Sequence, residues 1–86
     1  MDINELIAIV KKKIKQEIAL ESIDVEDKTF LHKSHSGHTK DKFHLKISIK
    51  SMELKKFKKL DSNKKIYKIL KKEIDLFIHS IQILIN

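Results

Sequence analysis

Two stretches of strict alternation enclose a run with helical spacing, and that order limits what the chain can fold into. In 43–50, Phe43, Leu45, Ile47 and Ile49 alternate with His44, Lys46, Ser48 and Lys50. In 78–85, His79, Ile81, Ile83 and Ile85 alternate with Ser80 and Gln82. Successive side chains of a strand point to opposite faces, so each stretch predicts a strand with one apolar and one wet face. Between them apolar residues recur at helical steps: Met52, Leu54 and Phe57 behind a Ser51 cap, then Ile66, Tyr67, Leu70 and Ile74 behind Asp61 or Ser62. A strand that reaches its neighbour through helices needs a crossover, which lays those helices on one face of the sheet.

The first half supplies the remaining layers. Ile3, Leu6, Ile7, Val10 and Ile14 define one stripe of a helix over 2–16, capped by Asp2 and with Lys11, Lys12, Lys13 and Lys15 toward its negative end. Residues 19–26 form a weaker strand, with Ile23 and Val25 on one face and Ser22 and Asp24 on the other. From Asp27 to Lys42 periodicity disappears and polar residues gather around Gly37, the only glycine, so this is a surface loop. The result is an α+β fold: helix, strand, strand, short helix, longer helix, strand, with a three-stranded mixed sheet covered on one face.

Composition then removes most chemistries. Eighty-six residues suit one domain, since domains usually take about 100 to 200 residues. Absence of cysteine excludes a disulfide framework, a thiolate nucleophile and a self-contained iron–sulfur or Cys-based zinc site. A single glycine cannot build a phosphate-cradling loop. Ser34 and Ser36 lie near histidines but on no strand-to-helix elbow, so no hydrolytic triad is assembled. No stretch reaches the roughly 18 apolar residues of a membrane span. Met1, Asp2 and Glu5 do not resemble a signal peptide, which gives a cytoplasmic location and no membrane as the expectation.

The net charge of +7 is carried wholly by lysine, with no arginine. Summed positive charge attracts polyanions, but base-edge readout and bidentate phosphate clamps mostly use the guanidinium fork. Fifteen isoleucines beside nineteen lysines also match the drift of an AT-rich genome, which would give much of this bias without a polyanionic partner.

Five histidines are the informative set. His32, His35 and His38 recur every third residue in the loop, and His44 opens the next strand. Neutral imidazole binds zinc, copper and iron, although a His-bearing polar loop is also commonly just solvated. His79 shares the phase of Ile81, Ile83 and Ile85 at a strand start, so it should be partly sheltered, either as a structural histidine or as a ligand.

The stretch from His44 to Ile81 resembles the BolA family. His44, Leu45, Ile47, Ile49 and Ser51 fall on that family's H-F-x-V-x-I-V-S. Leu54 falls on the following aromatic, Leu60, Ile66, Tyr67 and Leu70 on the helix, and His79-Ser80-Ile81 on H-A-L. His35-Ser36-Gly37-His38 is similar to the H-A-G-H of many members' variable loop. The resemblance implies one αββααβ, KH-like domain over 1–86. Two departures stand out: the family's R-H-R is Ser62-Asn63-Lys64 here, and Lys56 replaces a glycine. A KH-type GxxG loop is absent.

The family's function enters as an implication. BolA-like proteins pair with monothiol glutaredoxins, and the heterodimer can share a 2Fe-2S cluster ligated by the glutaredoxin cysteine, glutathione and imidazole from the BolA-like chain. Carried over by position, His79 is the C-terminal ligand, and the loop ligand is His35 or His38. The expected role is an adaptor in iron–sulfur cluster trafficking or iron homeostasis, not an enzyme, with no cofactor of its own, and a monomer or weak homodimer when alone. The alternative is a DNA- or RNA-binding transcriptional regulator whose basic face, Lys55, Lys56, Lys58, Lys59, Lys64 and Lys65, meets phosphates; these lysines equally suit a solvated helix face.

Overall fold

The computed structural model describes residues 1–29 and 42–86. Helix α1 spans Ile3–Glu17, and the Asp2 side chain caps it by accepting from the Glu5 N–H at 2.9 Å. Its stripe buries Leu6, Val10 and Ile14, and it ends where Ile18 turns to extended backbone. Strand β1, Ser22–Asp27, starts later than the expected 19–26, because Ala19 to Glu21 carry the chain from helix to sheet; the Glu21 N–H donates to the Lys50 carbonyl at 2.8 Å. Strands β2, Phe43–Lys50, and β3, Ile78–Ile85, have the expected bounds.

The sheet runs β1-β2-β3, antiparallel between β1 and β2 and parallel between β2 and β3. Its register sets rows of like chemistry side by side. Ile23, Ile49 and Ile85 form one row, Val25, Ile47 and Ile83 the next, and Leu45 and Ile81 a third. These rows pack with Leu6, Val10 and Ile14 of α1 and with Leu54, Ile66 and Leu70 of the crossover as one core. Each fully buried aliphatic side chain stabilises the fold by about 1.5–3 kcal/mol. The other face carries Asp24, Glu26, Lys46, Ser48 and Gln82, with Glu26 ion-paired to Lys28 at 3.5 Å and to Lys46 at 4.0 Å.

The crossover holds three helices rather than two: α2, Met52–Lys55, α3, Lys59–Ile69, and α4, Lys71–Leu76. Ser51 caps α2 as expected, accepting from the Leu54 N–H at 3.1 Å. Neither Asp61 nor Ser62 caps α3. The helix begins earlier, behind Lys58, which makes no side-chain cap, and Ser62 is buried inside it, where its hydroxyl donates to the Leu54 carbonyl at 3.0 Å and joins α2 to α3. The break between α3 and α4 is the single residue Leu70, at φ −99° and ψ 15°. Its N–H is shared between the Ile66 and Lys68 carbonyls, which tightens that turn while its side chain stays in the core. Lys13 on α1 pairs with Glu73 on α4 at 2.6 Å; Glu73 is only 3% exposed, so its charge has to be met inside the protein.

Candidate functional site: a histidine corner at a sheet bulge

At the first residues of β3 the ladder is irregular. Phe43 pairs with Ile78 and His44 with Ser80, so two steps on β3 face one step on β2 and His79 is the extra residue. Such a bulge bends its strand and re-aims a side chain. It also shifts the alternation by one residue, which corrects the expected phase of His79. Ile78 is buried, and Ile81 and Ile83 continue the inner row, but His79 is exposed instead of sheltered among them. Its ring lies 4.9 Å from that of His44, centroid to centroid, with the planes inclined by 49°.

His44 departs from expectation in the opposite sense. Alternation puts it on the wet face with Lys46 and Ser48, yet it is only 5% exposed. Its Nδ1 and the Ser80 Oγ share a hydrogen bond of 2.6 Å. The backbone of His44 is held on both sides by the end of β1: its N–H donates to Thr29 Oγ1 at 3.2 Å, and its carbonyl accepts from the Lys28 N–H at 2.7 Å. Thr29 is itself fixed by Asp27, whose Oδ1 accepts from both the Thr29 N–H and its hydroxyl. An aspartate side chain bonding two residues on is a common turn device. Here it ends β1 beside the histidines.

The same corner lies beside the described residues that flank the stretch carrying the remaining histidines. His32, His35 and His38 lie outside the described residues, as does the Gly37 loop motif. The described chain that leads into and out of that segment, Thr29 and Lys42, adjoins His44 and Phe43. Among the described residues no three His, Cys, Asp or Glu side chains gather to hold a metal ion. The histidine corner offers two neighbouring imidazoles, one of them exposed, a donor type that suits iron, copper and zinc.

The lysines are elsewhere. Lys55, Lys56, Lys58 and Lys59 are exposed around the turn from α2 to α3, and Lys64 is exposed further along α3. Lys65 is drawn inward, with its Nζ 5.4 Å from the centre of the Phe57 ring and 3.9 Å from Glu53. Met52, Phe57 and Leu60 are also exposed there. This turn sits at the far end of β3, where the Ser51 N–H donates to the Asn86 carbonyl at 3.4 Å. Seven residues of strand, at about 3.3 Å each, separate His79 from that end by roughly 23 Å.

A family model described as BolA-like protein matches residues 14–86. The chain belongs to the BolA-like family. It is 29% identical over 73 residues to a protein of Haemophilus influenzae named DNA-binding transcriptional regulator BolA, a match covering 85% of this chain and 68% of that relative. Among solved structures, the BolA domain of SufE1 from Arabidopsis thaliana superposes with a TM-score of 0.82 at 20% identity, over 99% of this chain and 94% of that one. BolA1 from Arabidopsis thaliana gives 0.76 at 19% identity, covering 93% and 88%. These structures establish the BolA-like fold of the chain. Within that fold, His44 is the site residue that sequence reasoning overlooked. Its signal was present, since His44 opens the very motif that carried the resemblance, but strand alternation alone assigned it to solvent.

Proposed function

We propose that this BolA-like protein is an adaptor that binds a monothiol glutaredoxin and helps to hold or pass on a 2Fe-2S cluster, with the His79 imidazole as one ligand and His35 or His38 as a second. The observation that carries the reading is the exposed His79 on a bulge, beside a buried histidine and at the end of the sheet where the His-bearing segment joins β2. A chain without cysteine has no thiolate for iron, which agrees with the resemblance's implication that a partner and glutathione supply the sulfur. Imidazole in place of thiolate raises a cluster's potential, as in Rieske-type centres, and suits a cargo that is meant to move on.

The test is to mix the chain with a cluster-loaded monothiol glutaredoxin and record visible absorption and circular dichroism. The expected result is a spectral change that His79→Ala abolishes and that one of His35→Ala and His38→Ala weakens. A spectrum that never changes, or that changes alike in every variant, overturns the assignment.

A second reading, nucleic-acid binding at the α2–α3 turn, is favoured by the exposed lysines there and by the name of the Haemophilus relative. On that reading affinity for DNA falls steeply with salt. Replacing Lys55, Lys56 and Lys58 together would weaken it; unchanged affinity removes this reading.

A further inference from the structure

We propose that His44 and Ser80 are positioning residues that preset the ring of His79, an inference that rests on reading His79 as the ligand. An exposed imidazole on a strand ordinarily samples several side-chain rotamers, and ordering it opposes binding. Here the bulge brings three side chains to one place: Ser80 opposite His44 in the register, and His79 just before it. His44 cannot readily move. Its backbone is bonded at both N–H and carbonyl to the end of β1, its ring shares the 2.6 Å bond with Ser80, and it is 5% exposed.

A fixed aromatic ring 4.9 Å away and inclined by 49° is a favourable partner for a second ring, since aromatic pairs favour offset or tilted arrangements over a flat sandwich. The bulge exposes His79, and the His44–Ser80 pair limits where its ring points. The arrangement parallels the outer-shell groups that orient a ligating histidine, with ring contact rather than a hydrogen bond as the constraint.

The experiment uses the full chain with labelled histidines, first without any partner. NMR of the His79 ring and its side-chain couplings is compared in wild type, His44→Ala, His44→Phe and Ser80→Ala. His79 is expected to take one rotamer in wild type, average over several in His44→Ala, and regain order in His44→Phe, which restores a ring. Ser80→Ala keeps both rings and loosens His79 less. The same variants are then titrated into a cluster-loaded monothiol glutaredoxin, where His44→Ala should weaken cluster sharing by about 10- to 100-fold, the usual cost of losing an outer-shell partner, and His44→Phe should recover most of it.

An unchanged His79 ring in folded His44→Ala overturns the proposal. Should that variant fail to fold, an unchanged His79 in Ser80→Ala together with a disordered His79 in folded His44→Phe overturns it instead. If the free chain behaves as expected but no variant, His79→Ala included, alters the glutaredoxin titration, positioning stands and the adaptor reading fails.

Discussion

The two ends of the β2–β3 ladder both carry residues that a sequence offers as a functional site, and the protein treats them differently. At the lysine end the ladder is regular through Ile49 and Ile85, Ser51 makes an ordinary helix cap, and five of the six basic side chains point to solvent with no partner in common. At the histidine end the ladder gains a residue, a histidine is buried, and Asp27, Thr29, His44 and Ser80 form a connected polar chain. Burying polar groups is costly unless every one is satisfied, and such networks therefore specify a geometry. A shared sign of charge specifies a field. The lesson is that the histidine end fixes particular side chains in place, whereas the lysine end presents charge without fixing it.

Stability measurements sharpen this contrast, and the middle of the ladder sets the scale. Ile47→Ala, at a fully buried position between the two ends, should cost about 2–5 kcal/mol in chemical denaturation. At the histidine end, His44→Ala should cost about 1–3 kcal/mol, because it removes a buried partner of Ser80. His79→Ala should stay within roughly 0.5 kcal/mol, since its side chain is exposed. A His79 variant as damaging as the His44 variant would erase the distinction between a supporting and a presented imidazole. At the lysine end, Ser62→Ala should cost about 0.5–1.5 kcal/mol through its bond to the Leu54 carbonyl. Replacing Lys55, Lys56, Lys58 and Lys59 together should leave the denaturation midpoint nearly unchanged. On α4, Lys71→Ala removes an exposed pair with Asp75 and should cost only about 0.3–0.5 kcal/mol.

Much of the fold was legible because it depends on periods that a single segment carries. Strict alternation gave β2 and β3 their bounds, and the Leu6, Val10 and Ile14 stripe gave α1. The site was less so, because a bulge belongs to two strands at once. Nothing within 78–85 says that β2 will be one residue short opposite His79, and one residue of slip turns a side chain to the other face. For the same reason His44 read as a wet-face residue: its burial follows from Thr29, Lys28 and Ser80, which are distant in sequence. The α3 start was misread because Ser62 has two possible uses, and the Leu54 carbonyl, which accepts from the Phe57 N–H at the end of a four-residue helix, also takes its hydroxyl. No glycine or proline marks Leu70, so a stripe running from Ile66 to Ile74 reads as one helix.

The most direct test of the central claim reads the iron's own neighbours. Pulsed EPR of the reduced cluster, held between a monothiol glutaredoxin and this chain labelled with nitrogen-15 histidine, should show nitrogen-15 coupling that is lost in His79→Ala while the variant still folds. A cluster signal with no nitrogen-15 coupling, or with coupling untouched by His79→Ala, would contradict the account.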